Sequence, residues 1–285
     1  MIEGIEFDLT WLSSILFGLV FGLAEVLPVS SSAHYALMAG LLGEGKTHIL
    51  LPLMLHIGSL TALIYSQYSN IMKLGRAQKL AAIPKKRRKR PLDTRSLMEI
   101  RLLRTMLIPI ILVFLFNKKF VSLQENLVAV SIFWVINGLI LYIPQYLPGS
   151  NRDASNLSRI DGILMGLGSA LSVLPGISCV GATTSVASVR GADKHFALNT
   201  ALLMTIPVTI GMIALDLLAI VEVGLAGIGF ILVLKSIFSA AAAFFGVHYG
   251  IRAMRMLVEN IGFSMFALYC WGIGLFTFIF YLTAA

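Results

Sequence analysis

Glu25 stands in an apolar run one turn ahead of Pro28, and Ser30, Ser31, Ser32 and His34 follow within two turns. A carboxylate at such a place is costly unless it is paired, protonated or wetted. Together, Glu, Ser and His can bring a base or metal ligand, a nucleophile and a proton donor to one bound group. The blander readings stay open: an interfacial Glu at a hairpin mouth, serines capping a helix that starts near Tyr35, and a structural His. A second concentration lies at Pro175-Gly-Ile-Ser-Cys-Val-Gly-Ala-Thr-Thr184. Gly176 and Gly181 let backbone N–H groups turn inward, and Ser178, Thr183 and Thr184 offer hydroxyls. The helix that follows presents its positive end, which makes an anion cradle suited to phosphate oxygens. Glycines in membrane helices also serve close packing alone.

The elements that must position these groups are membrane helices. The 285 residues are 58% apolar and only 13% charged, with mean hydropathy +0.88, against about a quarter charged in a soluble domain. Soluble nucleotide-binding and disulfide-stapled classes are excluded, and Cys179 and Cys270 give no metal-ligand spacing. The net charge of +8 is local: Lys73 to Arg104 holds 12 of the 22 basic residues against Asp93 and Glu99. Basic residues resist translocation, so loop 73–104 is expected in the cytoplasm and not on a nucleic acid. The N-terminus lacks a basic region and a small-residue cleavage site, so no removable signal peptide is expected.

About 20 apolar residues cross the hydrocarbon. Six stretches qualify: 49–72, 105–122, 126–146, 196–219, 225–255 and 261–283. Leu9–Leu42 and Gly162–Val189 are apolar too, but each is broken at the chemistry-bearing motif into halves too short to span. Such breaks survive at membrane depth only when covered by protein or facing a wet cavity. Both read as re-entrant helical hairpins, the first entering from outside and the second from the cytoplasm. Lys118 and Lys119, placed outside, are an exception to the charge rule. The expectation is therefore an all-α polytopic membrane protein of six transmembrane helices plus two opposed re-entrant hairpins. It forms a single membrane domain in which 1–146 and 161–285 are an inverted repeat, echoed in Val26-Leu-Pro-Val-Ser-Ser31 and Val173-Leu-Pro-Gly-Ile-Ser178.

Gly22-Leu-Ala-Glu-Val-Leu-Pro-Val-Ser-Ser-Ser-Ala-His34, followed by the Pro175–Thr183 motif, resembles the bacitracin-resistance type of undecaprenyl-diphosphatase. The likeness runs from Gly181 to Pro207 and more faintly through His56-Ile-Gly-Ser59 and Ala214-Leu-Asp216. It implies removal of the terminal phosphate of undecaprenyl diphosphate, which recycles the lipid carrier of cell-wall synthesis in the bacterial plasma membrane. A non-catalytic polyprenyl-phosphate binder or translocator is the alternative on the same scaffold. On this resemblance Glu25, Ser31 and His34 are the catalytic residues, with Ser31 as nucleophile and His34 as acid/base. Ser30, Ser178, Gly181 and Thr183 hold phosphate; Ser32, His56, Thr184 and Asn199 are accessory. Glu25 would hold a divalent cation, Mg or Ca. Phe21 stands where the family has its first Glu, Cys179 where it has a loop Arg, Asn199 at a position usually Glu, and Lys194 in place of a nearby Arg. His56 is the leading substitute for the lost Arg, ahead of Lys194 and Lys235.

Overall fold

The computed structural model describes residues 9–42, 49–115, 123, 126–147, 151–224, 228–260 and 263–284. Among them the chain is all-helical apart from a single β-bridge between Arg152 and Ala192. The described residues form ten α-helices: α1 Trp11–Val26, α2 Ser31–Leu41, α3 Leu50–Ala82, α4 Thr94–Leu115, α5 Leu127–Tyr142, α6 Arg159–Ala170, α7 Cys179–Val189, α8 Lys194–Val223, α9 Phe230–Asn260 and α10 Ser264–Ala284. Five of these, α3, α5, α8, α9 and α10, are long and apolar enough to cross a membrane. Side chains such as Leu12, Leu115, Val221 and Phe230 lie exposed on the outside, as expected where the solvent is lipid. This is a polytopic membrane protein.

The short helices match the two broken stretches. At 1.5 Å per residue, α1, α2, α6 and α7 reach only about 24, 16, 18 and 16 Å, so none crosses by itself. α1 and α2 pack on each other across the first break, and α6 and α7 across the second. Their starts are set by local chemistry. Thr10 and Ser13 form a capping box at α1, and Ser158 and Asp161 form another at α6. The Ser178 hydroxyl caps α7 by accepting from Gly181 N–H.

Two expectations need correction. The stretch 105–122 does not begin its own helix: residues 105–115 are the later part of α4, which starts at Thr94 because Asp93 accepts from both the backbone N–H and the hydroxyl of Ser96. Residues 116–122, with Lys118 and Lys119, lie outside the described residues. Nor is 73–104 one loop. α3 continues to Ala82, since Lys73, Arg76 and Lys79 are good helix formers once free of the hydrocarbon. Only 83–93 connects, through a 3-10 turn at Lys85–Arg87.

Tertiary contacts exchange partners between the halves of the chain. α1 packs along α9, and α6 packs along α4; α5 meets α10, and α3 meets α8. Close approach needs small residues at the crossings. A Cβ added at Gly18 would lie 2.3 Å from the Ser239 carbonyl oxygen, and one at Gly22 would lie 2.2 Å from that of Ala243. Gly58 of α3 meets the Ala240 carbonyl in the same way, at 2.1 Å. α9 is thereby held between α1 and α3, and the main buried cluster forms around Val26, Leu63, Trp134, Leu141, Leu202 and Met254.

Candidate active site between the two breaks

Breaking a helix frees carbonyls and amides that must find partners at depth. The Leu27 carbonyl accepts from the Ser178 hydroxyl at 3.1 Å, Pro28 from Asn137 Nδ2 at 2.9 Å, and Val29 from Trp134 Nε1 at 2.7 Å. Asn137 serves both breaks, because its Oδ1 also accepts from Ser178 N–H at 3.0 Å. Gly176 N–H donates to the Ser30 hydroxyl at 3.1 Å. Ser30 is the one non-glycine residue with positive φ among those described (φ 69°), and Gly176 turns at φ 118°. The Ser30 conformation costs about 1–3 kcal/mol and holds because the side chains of Trp134, Asn137 and Ser178 pin the turn. The two breaks therefore touch.

Where they meet, a small cavity of about 30 Å³ is lined by Glu25, Ser30, Ser31, Ser32, His56 and Ser178, with Ser172 and Cys179 beside them. Ser31 Oγ donates to Glu25 Oε2 at 2.5 Å, and Thr209 Oγ1 donates to Glu25 Oε1 at 2.9 Å. Two hydroxyl donors, one on each oxygen, suit a carboxylate, which can only accept. His56 pairs through Nδ1 with Asp216 Oδ2 at 2.7 Å, and the Phe21 ring stands edge-on to its imidazole at 5.1 Å. The helices that begin at Ser31 and Cys179 both start at this cavity. Two positive helix ends thus converge on it, each equivalent to roughly half a charge.

This geometry redistributes the expected residues. Glu25, Ser30, Ser31, Ser32, His56 and Ser178 are together. His34 is not: it lies one turn into α2, facing away. Its Nδ1 is 2.7 Å from the Ser30 carbonyl oxygen and its Nε2 is 2.7 Å from the Tyr269 hydroxyl. The imidazole stacks on Tyr269, stands edge-on to Trp134, and borders a separate apolar cavity of about 450 Å³ with Leu23, Leu27, Val29 and Phe266. His34 therefore reaches the small cavity only through the backbone of Ser30.

Gly181, Thr183 and Thr184 also miss the cavity. Gly181 N–H is taken by the Ser178 cap, and a Cβ there would come within 3.0 Å of Pro28. Thr183 is fully buried with its hydroxyl 2.6 Å from that of Ser169, and Thr184 bonds back to the Val180 and Gly181 carbonyls. All three lie where α7 packs closely on α6 and the first break. Ser30, Ser31 and Ser32 do not cap a helix at Tyr35, since α2 already starts at Ser31 and Ser30 makes no side-chain cap. Asn199 sits in another cleft, with Ser66, Asn70, His195 and Arg255.

Thr209, Asn137, Trp134 and Tyr269 were not singled out from sequence, and Asp216 was given no role. Asn137 and Asp216 had a readable signal, a strongly polar residue in an otherwise apolar span; Thr209, Trp134 and Tyr269 had none. Among the described residues no group of three His, Cys, Asp or Glu side chains could hold a metal ion. Glu25 accepts one hydroxyl on each oxygen, and Phe21 brings no second carboxylate.

The family model for bacitracin resistance protein BacA matches residues 14–276. The chain belongs to the BacA family. Curated relatives are similar over nearly the whole length. An undecaprenyl-diphosphatase of Methanobrevibacter smithii is 32% identical over 278 residues, which is 94% of this chain and 96% of that protein. One of Carboxydothermus hydrogenoformans is 29% identical, covering 92% and 94% of the two chains. One of Halothermothrix orenii is 26% identical, covering 93% and 96%. Within this BacA-family chain, the matched region includes both breaks and every residue that lines the small cavity.

Proposed function

We propose that the chain is a membrane-embedded undecaprenyl-diphosphatase whose reaction centre is Ser31 with Glu25. The observation that carries this reading is the 2.5 Å hydrogen bond from the Ser31 hydroxyl to the Glu25 carboxylate, set between two opposed helix N-termini. A serine hydroxyl is a weak nucleophile until an adjacent base takes its proton. Here that base is Glu25, oriented by Thr209 on its other oxygen. Ser31 Oγ forms a bond to the terminal phosphorus as the bond to the bridging oxygen breaks, and its proton passes to Glu25. Glu25 then returns that proton toward the departing lipid monophosphate. Water then bonds to the phosphorus as the Ser31 Oγ–phosphorus bond breaks, and Glu25 takes the water's proton and passes it to Ser31 Oγ, which frees inorganic phosphate and restores both groups. The helix ends at Ser31 and Cys179, and His56 held by Asp216, stand against the charge of the phosphoryl oxygens. His34 acts from outside as a positioning residue, its imidazole bridging the carbonyl of strained Ser30 and the Tyr269 hydroxyl. A divalent cation brought in with the diphosphate would find Glu25 as the carboxylate at this cavity, and no step above depends on it.

The exchange of partners between α1/α9 and α6/α4 supports an inverted repeat of residues 1–146 and 161–285. The basic segment 73–104 supports a cytoplasmic location for the ends of α3 and the start of α4. The apolar cavity beside Leu27 and Phe266 suits the first isoprene units of the lipid. Cys179, where the family carries an Arg, favours a second reading, in which the site holds a polyprenyl phosphate without cleaving it. Phosphate release from undecaprenyl diphosphate by the purified chain decides between them. Turnover that falls about a thousandfold in both Ser31→Ala and Glu25→Gln is expected. Lipid-phosphate binding without turnover would establish the carrier instead.

A further inference from the structure

A second polar site lies away from the reaction centre. A cleft of about 390 Å³ is lined by Ser66, Ser69 and Asn70 of α3, His195 and Asn199 of α8, and Arg255 of α9. Along continuous α3, His56 and Asn70 are 14 residues apart, which is about 21 Å at 1.5 Å per residue; Thr209 and Asn199 on α8 are about 15 Å apart. The cleft is thus near the end of the helix bundle where α3 runs into its basic extension, at the level of a lipid headgroup when the reaction centre is near mid-membrane.

Its chemistry is one-sided. The lining holds a guanidinium, two carboxamides, two hydroxyls and an imidazole, and no carboxylate. Arg255 makes no ion pair among the described residues. The Ser66 hydroxyl, part of the cleft lining, is shut away from water with no hydrogen-bond partner among the described residues, while Asn70 gives one amide hydrogen to Gln67 Oε1 at 2.8 Å and keeps the other. Buried polar groups are rarely left unpaired, so the unmet hydrogen bond of Ser66 marks a place where a ligand completes the structure. A guanidinium among neutral donors selects an oxyanion, and its planar fork matches phosphate in particular.

We propose that this cleft binds a phosphate group, with Arg255 as its anchoring cation and Asn199, Asn70 and the Ser66 and Ser69 hydroxyls as donors. The phosphate is either the free anion or the headgroup of an anionic lipid. The site is separate from Ser31 and Glu25 and does not depend on their role.

Thiol protection tests it on the full-length chain. Cys179 and Cys270 are buried, so a neutral maleimide reports on Ser69→Cys alone. In detergent, inorganic phosphate is expected to slow labelling of Ser69→Cys several-fold, and adding Arg255→Gln is expected to raise the half-protecting concentration at least tenfold. Protection seen only in phosphatidylglycerol nanodiscs, absent in phosphatidylcholine and lost with Arg255→Gln, also supports the site and assigns it to a lipid headgroup. No protection in either setting, or protection that survives Arg255→Gln, overturns the proposal. Phosphate release from undecaprenyl diphosphate, measured on the same samples, is expected to be unchanged by Arg255→Gln, and its absence in the parent chain counts against the diphosphatase alone.

Discussion

The hydroxyl of Ser31 and the carboxylate of Glu25 form one chemical unit, and units of this kind do not give additive losses. Ser31→Ala and Glu25→Gln should each lower kcat about a thousandfold, and the double variant should be scarcely worse than either; steady-state kinetics of all three checks this. His34 makes a different prediction, because it touches the Ser30 carbonyl and not the phosphate cavity. His34→Gln, which keeps a donor for that carbonyl, should retain far more activity than His34→Ala, and the pH dependence of kcat should keep its shape in both. A residue that moved the proton would instead change that profile in either variant.

At the scale of helices, the site depends on how closely α9 approaches α1 and α3. Gly18 and Gly22 leave no room for a side chain against the Ser239 and Ala243 carbonyls. Gly22→Val should therefore destabilise by about 1–3 kcal/mol or more, read as a lowered melting temperature in detergent, whereas Gly75→Ala, with open space around it, should not. The second hairpin is anchored by charge instead. Asp161, 1% exposed, caps α6 with Ser158 and pairs with Arg190 at the end of α7 and with Arg152 at 3.5 Å. Asp161→Ala removes the α6 capping box and leaves two partly exposed cations that water still solvates, and a loss of about 1–2 kcal/mol is expected. Asp93 anchors the start of α4 more weakly. Its hydrogen bonds from Ser96 hold the carboxyl below the ordinary Asp range. A depressed folded-state value means this cap is intact above the ordinary Asp value and lost as the pH falls through the lower one; amide exchange at Ser96 and Leu97 should rise only in strong acid.

For the whole molecule, the charge asymmetry of segment 73–104 and the exposed apolar belt make one joint prediction. A cysteine placed at Lys86, in the short connection between α3 and α4, should react with an impermeant maleimide in inside-out vesicles and not in right-side-out ones. Labelling from the external side would invert the whole arrangement and place the phosphate cleft on the other leaflet. The small size of the reaction cavity, about 30 Å³, further implies that the hairpins separate to admit a diphosphate. A disulfide that tied α1 to α7 should therefore block turnover reversibly, recovered on reduction.

The amino-acid order by itself determined the membrane class, the two broken helices and the residues at the breaks, because each is a local matter: apolar runs of a given length, and proline, glycine and hydroxyl side chains that interrupt them. It also marked Glu25, a carboxylate set in an apolar run. It did not decide which groups face one another. His34 follows Ser31 by three residues yet points to Tyr269, 235 residues away, while Glu25 is met by Thr209 and His56 by Asp216. A helix rotates successive side chains by about 100°, and the packing of α1 on α9 and of α3 on α8 chose which of those directions became the inside of a pocket. The phosphate-loop residues Gly181 and Thr183 became packing contacts for the same reason: once the breaks close on each other, the available space belongs to backbone, and the positive helix ends at Ser31 and Cys179 face the site in their place.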